Sequence, residues 1–373
     1  MKVLLDGRFI GYGGGGVFAA RCYRELIPLL SSAGHQVAVV VTNKTLAHTD
    51  CVTLLQIPGV EKVVASTSCL TVAQHWRFRK EVKVHADCYF YPHFDMPWLC
   101  PYESVAFIHD IIPVAVPKYT SWLKRVFFDA VCSRTVHKAL TIAVNSEHTR
   151  QTVANRYGIS PDKIRVAYLG CDHIVPPSDP KQFRQTVERL GLRAGYMLYV
   201  GNCKPHKNLH RLLKAYAALP DNLRREHCFY IVGSKDDSSK AFEREIVSLG
   251  LTENVRHLGP QDDNALRAIY SMAHAFATVS LYEGFGIPPL EAMVCSVPCL
   301  VSNTTALGEV AGPAALTVNP EDAAAISSNL ERLLTDPTLR TELAARGKAL
   351  TKPFTWKRCA EAVLTALMAA QKP

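Results

Sequence analysis

Residues 280–293 read SLYEGFGIPPLEAM and carry two glutamates, Glu283 and Glu291, with seven residues between them. Glu283 follows the apolar run AFATVS (275–280), which reads as a strand, so its carboxylate stands at a strand's carboxyl end, where open α/β sheets bind ligands. Pro288 and Pro289 open a helix, and Glu291 is expected in its first turn, where a carboxylate complements the dipole and accepts hydrogen bonds from hydroxyls. Backbone amides lie between the two acids. Such a unit suits a ligand with hydroxyls at both ends and an anion in the middle, the layout of a sugar nucleotide. For Glu291 taken alone, a first-turn glutamate without a ligand is an equal reading.

Three further stretches have chemical potential. GNCKPHKN (201–208) follows a buried run and opens a helix, placing Lys204 and Lys207 where free backbone N–H groups favour an anion. It lacks the second glycine and the Lys-Ser/Thr pair of a P-loop. GYGGGG (11–16) fits G-x-G-x-x-G between strand and helix, yet VVVTNKT (39–45) offers no acid for a ribose. NAD is therefore disfavoured, leaving a bare turn or a loop that approaches a sugar phosphate or acceptor. His109 and Asp110 end the run SVAFIHD, where a histidine can donate to a sugar hydroxyl or hold developing charge, and the adjacent acid can set its tautomer. A purely structural histidine is an equal reading there.

The elements that must position these residues follow from periodicity. Lys2 to Asp6 is a short apolar strand, 17–30 is amphipathic and helical, and HQVAVVV is a buried strand, so the chain opens as a βαβ unit. The alternation continues to about residue 170, is broken by IVPPSDP (174–180), and restarts at GYMLYVG (195–201). The prolines exclude helix and central strand, marking a linker over 174–182 that can act as a hinge. Alternation on both sides predicts two parallel-sheet α/β domains, over 1–173 and 183–354. The last helix, within 355–373, is open to either, with packing back on the first domain expected.

A length of 373 residues and 48% hydrophobic content suit two packed cores. Twelve cysteines without a C-x-x-C pair read as buried thiols in a reducing, cytoplasmic compartment, since no leader and no membrane-spanning run is visible. The absence of D-x-D, with Asp236-Asp237 and Asp262-Asp263 in polar contexts, argues against a divalent-metal site. A net charge of +9 favours anionic partners, whether phosphorylated small molecules, nucleic acid or an acidic membrane. No nucleic-acid-binding module is visible. The stretches HWRFRKEVK (75–83) and YTSWLKRVFF (119–128) could rest on a membrane surface, although Trp122, Phe127 and Phe128 are expected in the core.

Over nearly its whole length the chain resembles the retaining glycosyltransferases of family 4, through YEGFGIPPLEAM and NTTALGEVAG, supported by YVGNCKPHKNL, FIHDIIPVAVP, NSEHTRQTV and IRVAYLGCD. The resemblance implies a GT-B fold, with two Rossmann-like domains, acceptor-binding and donor-binding, facing across a cleft. It implies that Glu283 contacts hydroxyls of the transferred sugar and Glu291 the ribose hydroxyls. Gly284, Phe285, Gly286 and Ile287 would lie against sugar and phosphate, Lys207 would bind phosphate, and His109 would approach the reacting sugar. Gly13, Gly14, Gly15 and Gly16 would lie beside donor phosphate and acceptor. Asn202 stands where many members have arginine, with Lys204 expected to supply the charge; Ser296 and Gly308 replace a usual glycine and proline. The implied chemistry is metal-independent, cofactor-free front-face transfer of a hexose, with the leaving phosphate taking the acceptor's proton. GDP-mannose is the expected donor and a lipid-linked or oligosaccharide molecule the acceptor. Transfer from UDP-glucose or UDP-N-acetylglucosamine, a same-fold sugar-nucleotide epimerase, and a non-catalytic nucleic-acid-binding protein are the alternatives.

Overall fold

Two all-parallel sheets organise the chain. The computed structural model describes residues 1–176, 185–186, 188–235 and 237–370; the 174–182 linker lies outside the described residues from 177 onward, as does Asp236. The first sheet contains β1 (Lys2–Asp6), β2 (Gln36–Val41), β3 (Val60–Val64), β4 (Cys88–Tyr91), β5 (Glu103–Ile108), β6 (Thr141–Val144) and β7 (Ile164–Val166), in the order β3-β2-β1-β4-β5-β6-β7. The second contains β8 (Met197–Val200), β9 (Phe229–Val232), β10 (Val255–Gly259), β11 (Ala275–Thr278), β12 (Cys299–Ser302) and β13 (Leu316–Val318), in the order β10-β9-β8-β11-β12-β13. Parallel strands need helical crossovers that cover both faces, which is why β2, β4, β6 and β9 are unbroken apolar runs, buried almost throughout. β3, VEKVV, is an exposed edge strand whose charged residues hide it from a search for apolar runs.

The chain divides into two compact units, Met1–Gly170 with Thr355–Pro373, and Cys171–Phe354. Cys171, Asp172 and His173 thus cluster with the second unit, ahead of the boundary at 173 read from the sequence. The final helix, Trp356–Ala369, packs along the helix Gly13–Ser32. A Cβ on Gly170 would stand 2.3 Å from the Trp356 amide nitrogen, so the chain crosses there only because residue 170 has no side chain. All twelve cysteines are free thiols.

In each sheet the strand order reverses once, between β1 and β4 in the first and between β8 and β11 in the second. At such a switch point the loops leaving adjacent strands diverge to opposite faces, opening a crevice at the strands' carboxyl ends. The loops after β1 and β4, and those after β8 and β11, carry the residues that matter below.

Three sequence expectations need correction. The helix expected from Val17 begins at Gly13, so Gly13–Gly16 form its first turn rather than a loop. Glu291 lies in the second turn of the helix Ile287–Val294, because the helix already begins at Ile287. Trp122 and Phe127 are not core residues. They are 65% and 52% exposed on the helix Trp122–Lys138, and of the three aromatics only Phe128 is buried.

Candidate functional site

In the second unit the loops leaving β8 and β11 are stitched together. Asn208 adopts a left-handed φ of +58°, which asparagine tolerates better than most residues. Its buried Nδ2 donates to the carbonyls of Val279 (2.9 Å) and Pro320 (2.7 Å). The Leu281 amide donates to the His206 carbonyl at 2.8 Å. This frame fixes the preceding residue, Lys207, whose Nζ donates to Glu283 Oε1 and Oε2 at 2.7 and 2.8 Å. Ser280 Oγ donates to the same carboxylate at 2.8 Å, and the Glu283 amide donates to Thr305 Oγ1 at 3.3 Å. The pair is 19% and 13% exposed, buried enough to be held in place and open enough to meet a ligand. His206 beside it is pushed down to about 4 by burial and then by the Lys207 charge, so it is neutral at physiological pH.

Glu291 is buried, and both carboxylate oxygens are engaged: Oε1 with His173 Nε2 at 2.8 Å and Oε2 with the Tyr270 hydroxyl at 2.7 Å. Burial and then the Glu291 charge hold the Tyr270 phenol well above its ordinary range, keeping it a donor. Arg267 grips the His173 carbonyl through two nitrogens, at 2.8 and 3.2 Å. Between the acids, Phe285 is buried against Phe354, and Gly286 begins the helix with φ +90°, where a Cβ would stand 2.4 Å from Leu307 Cδ2. Ile287 is the first helical residue. Asn202 accepts from the Lys204 amide at 3.2 Å, and the Lys204 side chain is exposed.

In the first unit, His109 follows β5 directly and its Nε2 donates to the Pro92 carbonyl at 3.0 Å. Its tautomer is therefore set by a backbone oxygen rather than by Asp110, whose carboxylate accepts from the Ile112 amide at 3.0 Å. Burial, and secondarily the nearby His93, push His109 down to about 3. The imidazole is neutral at physiological pH. Gly15 faces it: a Cβ there would lie 3.8 Å from His109 Nε2 and 3.6 Å from His93 Cδ2. Gly16 has a packing reason instead, since its Cβ would stand 2.4 Å from the Phe9 carbonyl oxygen. Gly13 takes φ +50°, and Gly14 faces open space.

Residues 13–174 match the family described as Glycosyltransferase Family 4, and residues 180–350 that described as Glycosyl transferases group 1. The chain is 31% identical over 297 residues to O-antigen chain mannosyltransferase B of Escherichia coli, covering 79% of this chain and 76% of the relative. The chain belongs to glycosyltransferase family 4. A second family relative, O-antigen chain mannosyltransferase RfbU of Salmonella typhimurium, is 32% identical over 229 residues, 61% of this chain and 60% of that protein. Sucrose-phosphate synthase from Thermosynechococcus elongatus shares the fold with a TM-score of 0.78, at 19% identity and over 100% of both chains. This family 4 enzyme is thus a hexosyltransferase of GT-B fold.

Of the residues singled out in the sequence, the fold brings Lys207 directly onto Glu283, 76 residues away. It places Glu291 on His173 and Tyr270, and Gly15 beside His109. Sequence reasoning missed Ser280, Thr305, His173 and Tyr270. It also missed His93, although His93 ends the strand-like run CYFYPH just as His109 ends SVAFIHD, and the same signal would have found it. Among the described residues no group of three or more His, Cys, Asp or Glu side chains is arranged to hold a metal ion, and no helix is long and apolar enough to cross a membrane.

Proposed function

We propose that this enzyme transfers mannose from GDP-mannose, with retention of anomeric configuration, to a lipid-linked or oligosaccharide acceptor in surface-polysaccharide assembly. The observation that carries the reading is the Lys207–Glu283 pair at the β8/β11 switch point, a cation and a hydroxyl-binding carboxylate on one rigid frame. The mannosyl donor is supported by two relatives that are both named O-antigen chain mannosyltransferases.

In this reading Glu283 accepts hydrogen bonds from the mannose hydroxyls, and Glu291 accepts those of the ribose. The loop 284–287 lies along the diphosphate, and Asn202 and Lys204 flank it. The bond between anomeric carbon and phosphate oxygen breaks, the acceptor oxygen attacks from the same face, and its proton passes to the leaving phosphate. Negative charge grows on the diphosphate, and Lys207 stabilises it in place of a metal. His109, neutral with Nε2–H committed to Pro92, takes a sugar hydroxyl on its other ring nitrogen.

The acceptor's lipid end is supported by one surface. Trp122, Leu123, Val126 and Phe127 are all more than half exposed on one stretch of helix, and Lys118 and Lys124 are exposed beside them. Apolar side chains ringed by cations match an anionic lipid surface, and the enzyme would rest there from the cytoplasmic side without binding nucleic acid.

The test is thermal stabilisation by GDP, GDP-mannose, UDP, UDP-glucose and NAD in the presence of EDTA. A ligand at about 100 times its dissociation constant adds about 2.7 kcal/mol. A shift with the guanine nucleotides alone is expected. A shift with uridine nucleotides alone overturns the donor, and a shift that EDTA abolishes overturns metal independence.

A further inference from the structure

We propose that Thr305 is the positioning residue of Glu283: a threonine held in the left-handed backbone region so that its hydroxyl fixes the main chain beneath the carboxylate that meets the transferred sugar. The inference rests on the sugar-binding role of Glu283 proposed above.

Among the described residues, four non-glycine positions have a left-handed φ: Leu70, Asn208, Ser296 and Thr305. Of these only Thr305, at +57°, is β-branched. Branching at Cβ makes this region a genuine outlier, whereas asparagine visits it readily. Strain of this kind persists only where the surrounding structure over-determines it, and it gathers at functional sites. Asn208 and Thr305 flank the same ion pair. Asn208 fixes the neighbouring Lys207 through its bonds to Val279 and Pro320, and Thr305 meets Glu283.

The contacts that hold Thr305 lie on both sides of it. Ahead of it, Ser302 Oγ donates to the Ser280 carbonyl at 2.6 Å. Beyond it, Leu307 lies against Gly286, within 2.4 Å of where a Cβ there would stand. The stretch 302–307 is thus tied to 280–286 at both ends, and Thr305 comes opposite Glu283 between the ties. Its Oγ1 accepts from the Glu283 amide at 3.3 Å, and among the described residues no other acceptor meets that amide. The carboxylate of Glu283 is held separately, by Lys207 and Ser280. A diphosphate that takes Lys207 leaves the carboxylate to Ser280 and to its own backbone, which is where the amide bond counts. A glycine at 305 would adopt the left-handed φ without strain but would offer no oxygen. The branched side chain also narrows χ1, so the hydroxyl is oriented in advance. The strained threonine is therefore explained by the hydroxyl it aims at Glu283.

The test is calorimetric titration of the full chain without acceptor, comparing GDP-mannose with GDP and UDP-glucose with UDP, so that the ratio of the two affinities in the pair that binds isolates the sugar. Thr305→Val removes the hydroxyl and keeps the branch, Thr305→Ser does the reverse, and Thr305→Gly removes both. The ratio of nucleotide-sugar to nucleotide affinity should fall about fivefold in Thr305→Val and Thr305→Gly, the scale of one net hydrogen bond. Thr305→Ser should recover most of it. Tm should follow the strain instead, with Thr305→Gly melting a few degrees above Thr305→Val. A ratio unaltered in both Thr305→Val and Thr305→Gly, or one that tracks Tm across the three changes, overturns the inference. Glu283→Gln separates the two readings. A lowered ratio in Glu283→Gln beside unaltered ratios at Thr305 overturns the positioning role alone, whereas an unaltered ratio in Glu283→Gln overturns the sugar-binding role and the inference with it.

Discussion

The two switch points of this family 4 glycosyltransferase share a topology but handle charge in opposite ways. At β8/β11 an ion pair, Lys207–Glu283, is left partly open to solvent. At β1/β4 the charges are withdrawn behind the surface: Arg8 and Asp6 have no exposed side-chain area, Asp95 is buried under three donors, and what remains at the front is glycine and imidazole. A partly exposed pair can exchange one partner for a ligand at modest cost, whereas a fully buried pair is costly to separate. The first arrangement suits a site where charge must be met as it forms on a leaving diphosphate. The second suits a site that must orient an uncharged nucleophile. The difference fits the function proposed above, in which the second unit meets the donor.

The sharpest way to break that reading is Lys207→Ala. Loss of a preorganised donor to developing charge costs about 10²–10³ in rate, so kcat should fall on that scale while GDP still stabilises the protein; an unchanged kcat in steady state would remove Lys207 from the chemistry. Glu291 comes next. Glu291→Ala removes the carboxylate that His173 Nε2 and the buried Tyr270 hydroxyl bond, costing about 1–3 kcal/mol of stability as well as nucleotide affinity. Glu291→Gln keeps the shape and one acceptor oxygen, so calorimetric titration with GDP should show weakened binding with most of the stability retained. If Glu291→Gln binds GDP as the unmodified chain does, the ribose role is lost.

A smaller effect is expected at the exposed apolar helix. The double change Trp122→Ala and Phe127→Ala should reduce sedimentation with anionic vesicles several-fold, without loss of Tm, since neither residue is packed in the core. Equal sedimentation would separate the acceptor's lipid from this surface. The smallest effect concerns pH. His109 titrates at about 3 in the folded chain against an ordinary 6.5. Between those values the unfolded chain binds a proton that the folded chain excludes, so stability falls as pH drops from about 6.5 towards 3. Denaturant unfolding at pH 7.5 and 5 should show this loss, and His109→Asn should lessen it. An identical loss in the variant would mean that other groups carry the acid sensitivity.

Much of the architecture was legible because it is local. A strand covered on both faces is a run of apolar residues, and QVAVVV, CYFY and FYIV read as strands without knowledge of their neighbours. VEKVV did not, because an edge strand need not be apolar. Residues at strand ends, such as Glu283 and His109, could be picked out because strand ends are visible in the sequence. The glycines 13–16 were misplaced into a loop because a helix that starts on glycine carries no propensity signal. Trp122 and Phe127 were misread because hydrophobicity alone does not say which face of a helix is covered.

What the sequence by itself determined is therefore the alternation of strands and helices, and the chemistry offered at each strand end. Only the tertiary structure decided which ends meet. Lys207 reaches Glu283 because β8 lies beside β11, and His173 reaches Glu291 across 118 residues of chain. A backbone carbonyl fixes the tautomer of His109. Periodicity is a property of neighbours along the chain, whereas charge pairing, proton position and burial depend on neighbours in space. Strand order sets those neighbours, and no short stretch of sequence contains it.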